Sequence, residues 1–495
     1  MDDLLDWSWF RGLSFYEFAI KFYESNHYRP TFEALQYLIY TLVGTDPSRF
    51  ILINKIYNII ISIFIYYFTS DIAKNRILAF ITSSFYITSH LAYYQISQGI
   101  GGIESTALFL SIIILYLCIK LVDNENKNTR KSYRYNIITI IIIYILFFLL
   151  VFDHERYLSM ASIIIITILL LKKPNDNELL NDDLNGHNKY NLKTFKVISI
   201  ISFFIEIIII CYIRYLATNR VLPAGTGGTY VEETFNIGEC LKHCINQVAI
   251  IFGINIGPEH LYGIEFSAIT NKKIILLTFA SIIIILSIII TYFSFRIYNH
   301  KKEKDLKKLL SIDLLFLTYI AMCIGSSSVT IRVEMRFVYS SFIVSVIYLA
   351  YMLKYIISKI NLNSLKVIFT FLFIIIFMLR LPVETLYRNY YYKIYCFIDL
   401  KRVNSLYDLT IGTYGLDKII SKDENIKKKI IIVNKFYKMT NFYSEYFFKI
   451  YDKDNIGNKI MLVNDFSEID EKTLDENTII IYEDPFNNTY VTYTF

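Results

Sequence analysis

Long hydrophobic runs separated by short polar breaks occupy the chain from residue 51 to residue 382. The runs 137–152, 274–292 and 367–381 carry almost no charge and approach the ~20 residues that an α-helix needs to cross a bilayer. We predict about ten spans, at 51–70, 77–95, 102–122, 136–152, 157–171, 196–216, 273–297, 309–329, 336–357 and 366–382. Because backbone polar groups must be paired inside a bilayer, the spans are expected to be helical.

Residues 1–50 have a different pattern, in which aromatic and charged side chains are interleaved. The stretch 7–23 mixes Trp, Phe and Tyr with charged residues, which is typical of helices lying in the membrane interface. A second short helix is predicted over 31–43, because Pro30 favours a helix start and Gly44 a helix end. At ~13 residues this helix is too short to span the membrane.

The C-terminal part, 383–495, is richer in charge than the spans. Three runs bounded by polar turns are typical of β-strands, at 429–433, 459–463 and 478–482. The pattern therefore predicts an all-α polytopic membrane domain over 51–382, with a long outer loop at 217–272. A small α/β domain outside the membrane is expected to follow it.

Lysine and arginine mark one side of the membrane. They concentrate in the loops 123–135, 172–195 and 298–308, and Lys74 and Arg76 lie in the first short loop. If the spans alternate, these loops share one side, which the positive-inside rule assigns to the cytoplasm. The outer side then receives residues 1–50, the 153–156 turn, the 217–272 loop and the C-terminal domain. Either a first span is missing before Asp2, which we favour, or a short N-terminal tail crosses unaided.

Composition narrows the class further. The chain is 54% hydrophobic with a mean hydropathy of +0.41, which excludes a soluble protein of 495 residues. A net charge of +6 is modest and gives no sign of a nucleic-acid partner. Cys240, His243 and Cys244 share a helical face, but no fourth ligand is apparent, so no metal site is predicted. No cofactor is predicted, and a divalent metal is left open as an alternative.

Polar residues that could carry chemistry lie on the predicted outer side. They are an acidic pair, Asp2 and Asp3, and Glu104 at the start of a span. The dense turn 153–156 reads Asp-His-Glu-Arg, and the stretch 332–336 places an arginine at each end of Val-Glu-Met. Ionisable groups at membrane depth are costly, so they are expected to face a cavity or to pair with one another. An equally simple interpretation is that each group is a solvated or self-paired interfacial residue.

The order of these features resembles the layout of the GT-C superfamily of membrane glycosyltransferases. The matching pieces are Asp2-Asp3, Tyr28-Arg29-Pro30, Leu42-Val43-Gly44, Glu104, and Val333-Glu334-Met335-Arg336-Phe337. Members similar in layout include protein O-mannosyltransferases and bacterial lipid A aminoarabinose transferases. The resemblance covers roughly residues 1–382, and the absent first span is its main departure. It implies a polyprenyl-phosphate sugar donor and no nucleotide site.

The resemblance also implies a role for each candidate residue. An outer carboxylate, Asp3 ahead of Asp2, would act as the general base that takes the acceptor's proton during inverting transfer. Glu104 would orient the acceptor or the partners of the base. The expected ligands of the donor phosphate are cationic side chains, because planar guanidinium and imidazolium groups match phosphate oxygens. These candidates are His154, Arg156, Arg332, Arg336 and Arg29.

The sequence therefore predicts a multi-pass glycosyltransferase of a bacterial plasma membrane, which transfers a sugar from the lipid-linked donor to a glycan, lipid or protein acceptor. Membrane lipids are its expected surroundings. One alternative is a transporter or flippase of lipid-linked saccharides, which would need charges inside spans and broken helices. Within the spans, few ionisable residues stand out, namely Glu206, Arg214 and Asp313. The other alternative is a non-catalytic membrane scaffold.

Overall fold

The computed structural model gives this chain a mostly helical fold with a small C-terminal sheet. The structure describes residues 10, 13–22, 27–43, 48–97, 101–123, 130–171, 192–221, 231, 236–255, 265–299, 306–360, 362–391, 402, 405–406, 408–409, 429–433, 435, 460–470, 472, 474, 478–487 and 489–493. The α-helices in these ranges are α1 (Pro30–Val43), α2 (Ser48–Ala73), α3 (Arg76–Thr88), α4 (His90–Ile96), α5 (Gly102–Asp123), α6 (Arg130–Asp153), α7 (Ala161–Leu170), α8 (Leu192–Thr218), α9 (Ile237–Ile251), α10 (Lys272–Asn299), α11 (Leu306–Ser328), α12 (Met335–Lys359) and α13 (Asn363–Tyr391).

Eight helices in the described part of the chain are long and apolar enough to cross a membrane, so the chain is a multi-pass membrane protein. They are α2, α5, α6, α8, α10, α11, α12 and α13. Two predicted spans take another form. The run 77–95 is divided at Ser89, whose side chain accepts a hydrogen bond from the backbone N–H of Ala92 and so starts α4. The run 157–171 begins as a 3₁₀ turn, Glu155–Met160, and continues as α7.

Charged side chains gather at two opposite ends of the bundle. At one end, Asp71 near the end of α2 accepts hydrogen bonds from Lys74 and Tyr116 and forms an ion pair with Lys120 near the end of α5. We call this the Asp71 end. Glu104, at the start of α5, marks the opposite end, the Glu104 end. Helix α4 finishes toward this end, where the carbonyl of its last residue accepts a hydrogen bond from Asn54 near the start of α2.

Helix α12 occupies the centre of the bundle. In its most apolar stretch 83% of the residues are buried, against 17% for α8 and α13 and 22% for α10. It contacts α2, α3, α4, α5, α9, α10, α11 and α13. The peripheral helices expose rows of isoleucine, as expected where lipid replaces protein. Polar pairs fasten α12 to its neighbours, including Tyr339 with Tyr86 and Ser340 with Tyr157.

The C-terminal part contains a four-stranded sheet in the order β2-β1-β3-β4. Its strands are β1 (Lys429–Val433), β2 (Ile460–Val463), β3 (Thr478–Asp484) and β4 (Thr489–Tyr493). Strand β1 pairs in parallel with β2 and β3, and β4 pairs antiparallel to β3. The three predicted strands are confirmed, and β4 is an addition to them. The helix predicted over 31–43 is present as α1. Before it the structure describes residues 10, 13–22 and 27–29, where a short π-helical turn, Tyr16–Ile20, packs on α1.

Candidate functional site

The turn after α6 directs three ionisable side chains into the Glu104 end. Helix α6 stops at Asp153 because His154 takes an extended conformation, with φ −147° and ψ 111°. The chain then enters the 3₁₀ turn, and the backbone N–H of Tyr157 donates to the carbonyl of His154 at 3.0 Å. In this conformation His154 and Arg156 meet Glu104, whereas Glu155 between them meets Arg29.

Glu104 is buried in the first turn of α5, with 1% of its surface exposed. Arg156 Nη2 donates to Glu104 Oε2 at 2.7 Å, and His154 Nε2 lies 3.4 Å from Oε1. Gly101 sets up this start, because a Cβ there would lie 2.2 Å from the carbonyl oxygen of Gln95. Gly101 thus lets the chain pass close to the end of α4 and start α5 next to Arg156.

A second buried pair joins α1 to the same turn. Arg29, directly before α1, donates from Nε and Nη2 to the two carboxylate oxygens of Glu155, at 2.7 and 2.8 Å. This fork geometry is the strong form of a charge-assisted pair. Burial disfavours the charged carboxylate, but the adjacent Arg29 guanidinium outweighs burial and holds the pKa of Glu155 well below its usual range. The pair therefore stays ionised at neutral pH.

Glu334 forms a third cluster at the start of α12. Its side chain is 1% exposed and lies between Arg332 Nη2 at 2.9 Å and Arg336 Nε at 2.5 Å. The guanidinium of Arg156 lies 4.7 Å from the ring centroid of Phe337, and Arg336 stacks on the same ring at 5.5 Å. Phe337 therefore links this cluster to the Glu104 pair.

Positive charge is in excess in this network. Its described arginines are Arg29, Arg156, Arg214, Arg332 and Arg336, and its carboxylates are Glu104, Asp153, Glu155 and Glu334. Burial lowers the pKa of His27 to about 4 and lowers that of His154, so both imidazoles are neutral at pH 7. Five cations against four anions leave one surplus positive charge if every carboxyl group is ionised. Such a surplus suits an anionic ligand.

Asp153 and Arg214 also belong to the network, and the sequence predicted a role for neither. Asp153 is fully buried, and neither of its oxygens has a hydrogen bond within the described ranges, although Glu104, Glu155 and Arg29 act on it electrostatically. Arg214 is 1% exposed, and its guanidinium likewise has no hydrogen bond to any described residue. The signal available in the sequence was only their type, since ionisable residues at membrane depth are rarely without a function.

Six of the eight predicted site residues thus lie in one network: Glu104, His154, Arg156, Arg332, Arg336 and Arg29. Asp2 and Asp3 lie outside the described residues. Among the described residues no three His, Cys, Asp or Glu side chains are grouped as metal ligands. His243 and Cys244 of the sequence's cysteine–histidine face instead contact Ser328 of α11.

A second buried charged cluster lies apart from these contacts. His90 at the start of α4 pairs with Glu384 of α13 at 2.6 Å, and Arg380 pairs with the other oxygen of Glu384 at 2.8 Å. Gly253 lies against Arg380, and its carbonyl accepts a hydrogen bond from Tyr387. This cluster fastens the chain after α9 to α13, so His90 has a helix-packing role.

No protein-family model and no curated protein matches the chain. The function of the chain is therefore inferred from the geometry of the Glu104 end.

Proposed function

We propose that the chain is a GT-C-type membrane glycosyltransferase that moves a sugar from a polyprenyl-phosphate donor to an acceptor glycan, lipid or protein. The observation that carries the proposal is the arginine-rich network at the Glu104 end, where one bundle end joins buried carboxylates to a surplus of guanidinium groups. Transfer from a phosphate ester needs cations at the leaving group and a carboxylate near the acceptor hydroxyl. Both kinds of group are present there.

Arg332 and Arg336 are the best suited of these cations to bind the donor phosphate. Their side chains are 32% and 27% exposed, whereas that of Glu334 between them is 1% exposed. One arginine is enough to balance Glu334, so the second can balance a phosphate without leaving a carboxylate unpaired. Arg156 and Arg29 are more buried, with only 8% and 15% of their side chains exposed, and each forms an ion pair with a single carboxylate. Their role in the proposal is to position Glu104 and the 153–156 turn.

The reaction would break the bond between the anomeric carbon and the phosphate oxygen and form one to the acceptor oxygen. A carboxylate takes the acceptor's proton, and the phosphate leaves as an anion beside the arginines. The resemblance to GT-C enzymes implies Asp3, with Asp2 next, as the base. Glu104 is already held by Arg156 and His154, which favours an orienting role. Asp153 is a further candidate base, because no described residue donates a hydrogen bond to it.

In this proposal the Glu104 end faces the outside of a bacterial plasma membrane and the Asp71 end faces the cytoplasm. The lysines of the Asp71 end, Lys74 and Lys120, agree with the positive-inside rule. The divided helices α3–α4 and the 3₁₀ turn with α7 would then be two further crossings, for ten in all, as the sequence predicted. The C-terminal sheet would lie outside, where it could meet the acceptor.

The test measures loss of radiolabelled sugar from a polyprenyl-phosphate pool in membranes that contain the chain. We expect Arg332→Gln and Arg336→Gln to raise the KM for the donor, and Asp3→Asn or Asp153→Asn to lower kcat by about 10²–10⁴-fold, whichever is the base. Arg220→Gln is the matched control, because Arg220 is exposed after the end of α8. Absence of donor consumption across several sugars would refute the proposal.

Transport of lipid-linked saccharides is the second candidate, and two observations favour it. Helix α3 is broken from α4 at Ser89, and an ion pair between Arg296 and Asp313 is buried between α10 and α11. Broken helices and buried charges are common in secondary transporters. In liposomes, movement of an intact lipid-linked saccharide between leaflets without cleavage would favour transport over transfer.

A further inference from the structure

The guanidinium of Arg214 makes no hydrogen bond to any residue that the structure describes. Arg214 lies one turn before the end of α8, is 1% exposed, and is among the largest fully buried side chains. Three nitrogens carry its five N–H donors, and none of them has a hydrogen-bond acceptor in the part of the chain described. A buried cation without acceptors is strongly unfavourable, so the position calls for an anion.

The charged residues that the structure describes near Arg214 do not supply that anion. Glu155 interacts electrostatically with Arg214, but each of its oxygens already accepts a hydrogen bond from Arg29. Arg29 itself is a second cation beside Arg214 and opposes its charge. Glu206 also lies on α8, but more than two turns before Arg214, at about 12 Å along the helix axis. Arg29 and Arg214 therefore share the carboxylate of Glu155. Arg214, which has no hydrogen bond to a described residue, is the more deeply buried of the two.

The location of Arg214 indicates where an anion would come from. Helix α8 packs on α6 and α7 and is peripheral, with only 17% of its apolar stretch buried. Around Arg214 the same helix exposes Tyr212, Tyr215 and Leu216 to the bundle's surroundings, at 60%, 50% and 49%. Only α8 itself therefore separates the buried guanidinium from the lipid. Because Arg214 is near the end of a span, it lies at the depth of the lipid headgroups.

We propose that Arg214 binds the phosphate group of an anionic membrane lipid that enters between α8 and its neighbours, while Arg29 stays paired with Glu155 and adds positive charge nearby. A phosphate provides several acceptor oxygens and a negative charge, which match the donors and the charge left over at this position. The lipid is either a bilayer phospholipid or a polyprenyl phosphate, since both present the same group. The binding site does not depend on glycosyl transfer and holds equally for a transporter.

The experiment uses the full chain purified in neutral detergent and stripped of lipid. The midpoint of thermal unfolding is measured alone and with phosphatidylglycerol, phosphatidylcholine, polyprenyl phosphate or inorganic phosphate. Native mass spectrometry counts the bound lipids. The variants are Arg214→Gln, Arg214→Lys and the control Arg220→Gln, which removes an exposed arginine six residues further along the chain.

Three results are expected together. Without lipid, Arg214→Gln is at least as stable as the wild type, because it removes an uncompensated buried charge. At about 100 times Kd, the anionic lipids raise the midpoint of the wild type and Arg220→Gln by a few degrees, and leave Arg214→Gln unchanged. Arg214→Lys keeps the bound lipid, with weaker affinity. The stronger of the phosphatidylglycerol and polyprenyl phosphate responses identifies the source, and inorganic phosphate alone should have little effect.

Other outcomes would overturn the proposal. If Arg214→Gln fails to fold or is less stable than the wild type without lipid, Arg214 has a structural partner instead of a ligand. If phosphatidylcholine stabilises as well as phosphatidylglycerol, or Arg214→Gln binds as many anionic lipids as the wild type, the guanidinium does not recognise the phosphate.

Discussion

The ion pair between Glu104 and Arg156 allows the network to be tested without knowing the substrate. The pair is 2.7 Å long, and its side chains are 1% and 8% exposed. Removing one member of a buried pair costs about 3–5 kcal/mol, because it leaves the other charge uncompensated. Here we expect the lower end, about 3 kcal/mol. Arg156→Met leaves Glu104 near His154, and Glu104→Gln leaves Arg156 stacked on Phe337.

The double variant should lose much less than the sum of the single variants. With both charges gone, we expect a loss of about 2 kcal/mol, and hence a coupling of about 4 kcal/mol. For a chain of 495 residues the entropy of unfolding is about 1 kcal/mol/K, so each single variant should lower the thermal midpoint by about 3 °C. The double variant should lower it by about 2 °C, against about 6 °C for additive effects.

The assay is far-ultraviolet circular dichroism during heating in detergent, which follows the loss of the helices, with size-exclusion chromatography to confirm a folded monodisperse protein. The exposed pair of Lys242 and Glu239 at 3.2 Å is the matched control, because such pairs contribute at most about 1 kcal/mol. Additive losses at Glu104 and Arg156 would show that the two side chains are not paired as described, and the argument from the network would fail.

Two further predictions concern stability. Gly253→Ala should lower the free energy of unfolding by about 1–3 kcal/mol, because Gly253 has a φ of +90°. The loss should be larger still, because the new Cβ would lie 1.9 Å from Arg380 Nη1. Gly325→Ala, in a helix with open space around it, is the control and should cause no loss of stability. His27 has a pKa of about 4 in the folded protein, below its unfolded value of 6.5, so its contribution to stability is complete above pH 6.5 and is lost as the pH falls toward 4. At pH 5 the thermal midpoint should fall by an amount equivalent to about 2 kcal/mol of unfolding free energy. His27→Gln should reduce that fall.

Hydropathy predicted most of the membrane helices, because length and apolar composition are local properties of the chain. It did not predict the break at Ser89, since the apolar run continues through 77–95 without Gly or Pro. The break depends on the Ser89 side chain capping α4 and on the backbone N–H of His90, which donates to Glu384 almost 300 residues away. Contacts of that range are set by tertiary packing and leave no local pattern.

The sequence predicted that the candidate residues share one side of the membrane, but it did not predict which of them form ion pairs. Sidedness groups Glu104, the 153–156 turn and Glu334, because alternating spans bring their ends to one surface. It does not show that Arg29 pairs with Glu155, 126 residues further along the chain. Nor does it distinguish Glu155 from Asp153, which are two residues apart: one accepts two hydrogen bonds from an arginine, and the other has none from a described residue. That difference arises from the directions of the side chains where α6 ends.

Two places in the network hold a guanidinium beyond the carboxylates that it contacts, and their surroundings differ. One is the pair of arginines on Glu334, whose side chains are about 30% exposed at the bundle end. The other is Arg214, buried behind a helix that faces lipid. A soluble anion could reach only the first, whereas a lipid phosphate at the boundary between headgroups and acyl chains could approach the second from within the bilayer. If a lipid-linked sugar is the ligand, Arg214 would meet a phosphate during lateral entry, and Arg332 and Arg336 would meet it where the sugar reaches the acceptor.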